Sequence, residues 1–140
     1  MSVVVDEASV PGPARITLPC TDAASLRRIR HWLRDHLPTG LSEDARADAE
    51  LVCTELATNT LDHADGPREV RIVVVPAVST SDASVLIEAR DGSPESVLLV
   101  GSSRLGEFRG RGMAIVDALS EWGVRREDGH KTVWARLTLR

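Results

Sequence analysis

Only two cysteines, Cys20 and Cys53, occur in the 140 residues, and they form no CxxC pair. That makes a disulfide framework of the kind small secreted domains depend on a poor expectation, and it suits a reducing compartment. No apolar run comes near the ~18 residues that a membrane-spanning helix needs. The first ten residues carry Asp6 and Glu7 without a basic cluster, so no secretory signal is expected there. The formal net charge of −4 argues against a phosphate backbone as the main partner, because such partners call for a basic footprint. These absences point to a cytoplasmic protein that engages neither membrane nor nucleic acid directly.

Several catalytic and binding motifs are missing as well. His31, His36, His63 and His130 form no HExxH and no Cys/His metal spacing, so they are expected at surface or capping positions. Gly101-Ser-Ser-Arg-Leu lacks the closing glycine of a GxSxG elbow. Gly101 and Gly106 have Walker A spacing, but Glu107 and Phe108 stand where Lys and Ser/Thr belong. A Rossmann fingerprint is excluded because no strand leads straight into Gly110 and Gly112. There is no internal repeat, no low-complexity segment and no coiled-coil heptad.

What remains is a chain of single-domain length, with 42% hydrophobic residues from which to build a core. Residues 1–13, ending in Pro11-Gly12-Pro13, read as a flexible arm. Ala14 to Leu18 reads as a short strand. Thr21 or Asp22 is placed to cap a helix reaching about Leu37, with Leu26, Ile29, Leu33 and Leu37 at helical spacing. After the Pro38-Thr39-Gly40 break, a second helix is expected from Ser42 to about Ala64, with Glu43 and Asp44 favourable in its first turn. Strands follow at Val70–Val75 and Val85–Ala89, with a turn over Ala77–Asp82. Asp91 to Gly110 reads as a long loop, and loops of that length in compact domains usually serve a purpose. A helix over Arg111–Ser120 and strands around Trp122–Arg126 and Thr132–Leu139 complete the chain, with Asp128-Gly129 as a hairpin turn. The order does not alternate as in a doubly wound fold. It implies a two-layer α/β sandwich, with a mixed, mostly antiparallel sheet and helices gathered on one face.

Three local patterns carry possible chemistry. On the second helix, Glu55 and Asn59 lie four residues apart at the edge of an apolar arc formed by Ala45, Ala49, Val52, Leu56 and Ala57. A carboxylate there can accept a proton, and an amide oxygen can ligate Mg²⁺; taken alone, an ordinary surface hydrogen bond between the two is the simpler reading. Gly110-Arg-Gly-Met113 precedes an apolar helix, where glycines let backbone approach a phosphate and Arg109 and Arg111 add positive charge. A plain helix start with a flexible lead is the simpler alternative. At Asp91-Gly92-Ser-Pro a strand delivers an acceptor-only side chain to the mouth of the long loop. Asp-Gly and Ser-Pro are also ordinary turn formers.

The order of these patterns is more specific than any one of them. ELATNTLDHA, the Asp91 loop, RGRGMAIVDAL and GHKTVWARL together resemble the N, G1 and G2 boxes and terminal Thr of the GHKL (Bergerat-fold) ATPases. Within that group they are most similar to the anti-sigma-factor serine/threonine kinases, over nearly everything from residue 14 to 140. The resemblance implies ATP and Mg²⁺ as cofactors, with Asn59 ligating the metal and Glu55 as the catalytic carboxylate. It implies Asp91, followed by Gly92, on the adenine amine, and Gly110, Gly112 and Met113 in the lid that wraps the phosphates. Arg109 or Arg111 would meet the γ-phosphate, and Thr132 would support the adenine pocket. Implied partners are a sigma factor and an antagonist protein phosphorylated on Ser or Thr, with a homodimer expected from the family.

Two departures stand out. The family's G1 box is Asp-x-Gly-x-Gly, whereas here Gly92 follows Asp91 directly and Ser93 and Glu95 occupy the glycine positions. The lid from Ser93 to Arg109 is also short. An inactive protein-binding module is therefore the alternative to a kinase. The catalytic domain of a histidine kinase fits less well, since the chain has no room for a helical phosphoacceptor segment.

Overall fold

The computed structural model describes residues 12–63, 67–92 and 107–140, without the side chains of 63 and 107–112. The order is β1 (Ala14–Pro19), α1 (Ala23–His36), α2 (Glu43–His63), β2 (Glu69–Val75), β3 (Ala83–Asp91), α3 (Glu107–Leu119), β4 (Glu121–Glu127) and β5 (His130–Leu139). Of the expected arm over residues 1–13, residues 1–11 fall outside the described residues.

Local chemistry sets the helix ends. Asp22 holds an extended backbone, and its Oδ1 accepts the Ser25 N–H at 2.8 Å, capping α1. Ser42 Oγ accepts the Ala45 N–H at 3.1 Å in the same way for α2, with Glu43 and Asp44 meeting the positive end of the helix dipole. Buried Ile29, Leu33 and Leu37 make the inward stripe of α1, while Ala49, Val52, Cys53, Leu56 and Ala57 make that of α2.

The strands form one sheet in the order β1-β2-β3-β5-β4. A mostly antiparallel sheet is the expectation, and every pairing between these strands is antiparallel. Alternation gives it two unlike faces. Val70, Ile72 and Val74 of β2, Val85, Ile87 and Ala89 of β3, and Val133, Ala135 and Leu137 of β5 are buried beneath the helices. Register aligns Ile72, Ile87 and Ala135 across the sheet. The opposite face carries Thr17, Arg71, Glu88, Arg90, Thr132 and Trp134.

Two glycines explain themselves. Gly129 takes the left-handed conformation at φ 79°, while Asp128 keeps a negative φ, so the β4–β5 turn is not of the type I′ form. At Gly123 an added Cβ would lie 2.8 Å from the Trp134 indole, which packs directly over the backbone there.

One boundary differs from the sequence reading. The third helix begins at Glu107, not at Arg111, so Gly110 and Gly112 lie within α3 and do not lead into it. Within the helix, the amides that its start leaves unpaired belong to Glu107–Arg109, and the Gly110 and Gly112 amides fall beyond them. A helix pays roughly 1 kcal/mol per glycine relative to alanine, which packing of the apolar residues after Gly112 can offset.

Candidate functional site

The site is built from the ends of four elements. Cys20 Sγ lies 3.5 Å from the Ala57 carbonyl, and Arg68 Nη1 donates to the Leu61 carbonyl at 3.0 Å. These contacts hold the second half of α2 over the sheet end where β2 begins. Glu69 pairs there with Arg90, so the same end carries Asp91 of β3 and Lys131 of β5.

Helix α3 approaches from the other side. Asp48 borders a cavity of about 510 Å³ together with Ala118, Leu119 and Ser120, at the far end of α3. Asp48, Glu55 and Asn59 share one flank of α2 at helical spacing. The helices pack along each other, and with the C-terminus of α3 beside Asp48, its N-terminal half runs toward Glu55 and Asn59. Gly110 and Gly112 are therefore carried to the end of the fold that holds those two residues.

Glu55 and Asn59 are both half-buried. Burial alone pushes the Glu55 carboxyl above the ordinary carboxylate range, because desolvation penalises its charged form. A carboxylate displaced toward neutrality is suited to taking a proton. The cysteines of the same region are unsuited to chemistry. Desolvation pushes Cys20 up to about 11 and Cys53, which Cys20 also opposes electrostatically, up to about 12.

Asp91 and Gly92 border a pocket of about 320 Å³ with Gly129 and His130. Asp91 is buried, and its Oδ2 lies 3.6 Å from Lys131 Nζ. Met113 is a core residue, 2% exposed. Thr132 departs from the expectation. It pairs with Arg90 and Arg125 on the helix-free face, where it lines a separate pocket of about 210 Å³. Register parity explains this: Val133, Ala135 and Leu137 point to the helices, so their neighbour Thr132 must point away and Lys131 toward them. The side chains of Arg109 and Arg111 lie outside the description, as does the lid from 93 to 106.

Sequence reasoning also missed a cluster on the helix-free face. Glu88 is buried between two guanidiniums: Arg71 Nε donates to Oε1 at 2.8 Å, and Arg125 donates to Oε2. Only cross-strand register brings these three strands' residues together, so nothing local in the sequence marks them. Burial raises the Glu88 carboxyl, but the Arg125 and Arg71 hydrogen bonds and charges outweigh it and leave it below its ordinary value. The linked stability is thus present above about 4.5, the unfolded value, and disappears as pH falls through the lowered folded value. Urea melts of wild type and Glu88→Gln should differ most at neutral pH and converge in acid.

On the first helix, Arg34 reaches Glu50 of α2. Arg27 and Arg28 stay exposed beside an apolar groove of about 470 Å³ lined by Ile16, Leu18 and Trp32.

A family model described as a histidine kinase-like ATPase domain matches residues 20–137. The chain is similar in fold to a crystal structure of the RsbU and RsbW domains of Rv1364c from Mycobacterium tuberculosis, with a TM-score of 0.59 and 22% identity. That superposition covers 93% of this chain and 33% of the other, so the chain spans about a third of that protein's length. No curated protein matches the sequence. Among the described residues no helix is long and apolar enough to cross a membrane.

Proposed function

The chain belongs to the histidine kinase-like ATPase domain family, and from that premise we propose that it is an ATP-dependent serine/threonine protein kinase of the anti-sigma-factor type. In this reading it sequesters a sigma factor and phosphorylates an antagonist protein. The observation that carries the proposal is the half-buried Glu55/Asn59 pair on the α3-facing flank of α2, with the Glu55 carboxyl raised by burial.

The residues present fit a magnesium nucleotide at one point and resist it at another. The Asn59 amide oxygen is a hard, neutral ligand of the kind Mg²⁺ takes, and Asn59 stands at the α2 end toward which α3 brings its glycines. Asp91, the residue for the adenine amine, already faces an ammonium. Bound Mg·ATP supplies an activated γ-phosphoryl group, and phosphoryl transfer then depends on positioning and charge. Glu55 would take the proton of the attacking serine or threonine hydroxyl as that oxygen bonds to the γ-phosphorus and the bond from the γ-phosphorus to the bridging oxygen breaks, releasing ADP. Arg109 or Arg111 would meet the γ-phosphate, and the lid carrying Gly110 and Gly112 would lie beside the phosphates. The phosphate gained by the antagonist adds roughly −1.5 to −2 charges, enough to reverse its attraction or repulsion at a charged surface. The exposed Arg27 and Arg28 on α1 offer a basic docking face for a partner.

The Asp91–Lys131 pair, together with Ser93 and Glu95 in the G1 positions, favours one other reading: a protein-binding module that has kept the fold and lost catalysis. Calorimetric titration with Mg·ATP separates the two. Saturable binding that Asn59→Ala weakens by tenfold or more, about 1.4 kcal/mol, supports the kinase. No binding at millimolar ATP leaves the module.

A further inference from the structure

On the helix-free face, Thr132 of β5 stands directly across from Arg90 of β3 on one side and Arg125 of β4 on the other. All three line the pocket of about 210 Å³ there, which is smaller than the ~300–1,000 Å³ that drug-sized ligands fill. Thr132 is 6% exposed, and its hydroxyl has no hydrogen-bond partner among the described residues. Every sealed side-chain N or O atom among those residues is bonded, so this hydroxyl is not sealed and opens into the pocket it lines. It is a donor and acceptor with nothing from the chain to satisfy it.

The charges around that hydroxyl are unevenly balanced. Glu88 is shared by Arg71 and Arg125, and two guanidiniums against one carboxylate leave a net positive charge. Glu69 is offset by Arg90, 3.8 Å away. Glu127 lines the same pocket, two places along β4 from Arg125. Its Oε2 lies 3.4 Å from His130 Nε2, but that nitrogen accepts from Arg90 at 2.7 Å and has no proton to give. The Glu127 carboxylate is thus left without a donor among the described residues. A simple anion in the pocket would meet Glu127, and a simple cation would meet the surplus guanidinium charge. We propose that this pocket binds a small zwitterion, a free α-amino acid, with its carboxylate on Thr132 between Arg90 and Arg125 and its ammonium on Glu127. Each end then makes charge-assisted hydrogen bonds, about twice as strong as neutral ones.

The test is calorimetric titration of the whole chain with L-alanine, acetate and ethylammonium in turn. L-alanine should saturate one site at millimolar concentration. Acetate and ethylammonium should each bind at least about tenfold more weakly, since each lacks one charge-assisted end. Glu127→Gln changes an exposed side chain and should bring alanine down to the level of acetate, while acetate itself binds no more weakly than before. Thr132→Val keeps the side-chain shape and removes the hydroxyl, and it should weaken alanine and acetate together. If thermal melts show that Thr132→Val does not fold, Glu127→Gln decides the matter alone. Three results overturn the inference: no saturable alanine binding at millimolar concentration, acetate binding as tight as alanine, or alanine binding that Glu127→Gln leaves unchanged.

Discussion

Glu55→Gln is expected to slow phosphoryl transfer by about 10²–10⁴, the usual contribution of a positioned acid or base, while Mg·ATP still binds. Glutamine keeps the shape and polarity of the side chain and removes only its capacity to take a proton. The acid limb of the wild-type rate profile should lie above the ordinary carboxylate range, because burial raises Glu55, and the variant should lose that limb. Stability should move the other way. A carboxyl raised in the fold is protonated more readily there than in the unfolded chain. Its ionisation therefore costs stability as pH climbs from the unfolded value through the raised one, and that deficit persists at neutral pH. The glutamine variant should thus be slightly more stable than wild type at pH 7 in urea melts. Loss of rate with gain of stability identifies a residue kept for chemistry. Loss of both would make Glu55 a structural residue and remove the proposed base.

The second large effect lies in the core. Ile87→Ala should cost about 2–5 kcal/mol, a large part of the roughly 5–15 kcal/mol that holds a domain folded. Ile87 is fully buried at the centre of the middle strand, flanked in register by Ile72 and Ala135. Ala135 is too short to reach into the space vacated, and the hydrogen-bonded strands on both sides restrain collapse. The urea midpoint should fall with little change in slope, since the same surface is exposed on unfolding. At temperatures where the variant stays folded, nucleotide binding should match wild type. A cost below about 1 kcal/mol would mean that the helices above Ile87 settle into the gap.

Much of the fold could be read from the residues because its signals are local. Asp22 as a cap, Pro38 as a stop and the β-branched run Val70–Val75 each act within a few positions. The start of α3 was missed because Gly110 and Gly112 look like helix breakers, while the apolar residues beyond them bury against the core and carry the helix through. The pair Glu55 and Asn59 was legible since both lie on one helix. Thr132 lies on the helix-free face, as the alternation of Val133, Ala135, Leu137 and Leu139 requires. Counting back two places from Val133 gives Lys131. A lysine in a strand is ordinarily taken as exposed, so its burial beside Asp91 could not be anticipated without the β3–β5 register. The same limit hid Glu88, whose guanidinium partners come from strands 17 and 37 positions away in sequence.

The sheet order leaves β1 and β4 as its outer strands among the described elements. An unpaired strand edge is a template for another chain, and both edges here are poor templates. Pro19 in β1 has no N–H to offer, and Arg15 places a charge on that short strand. β4 carries Glu121, Arg125, Arg126 and Glu127 over seven residues, so an incoming strand would meet charge of both signs. Edge-to-edge aggregation is thereby disfavoured, and the domain is protected from polymerising through its own sheet even when crowded against copies of itself.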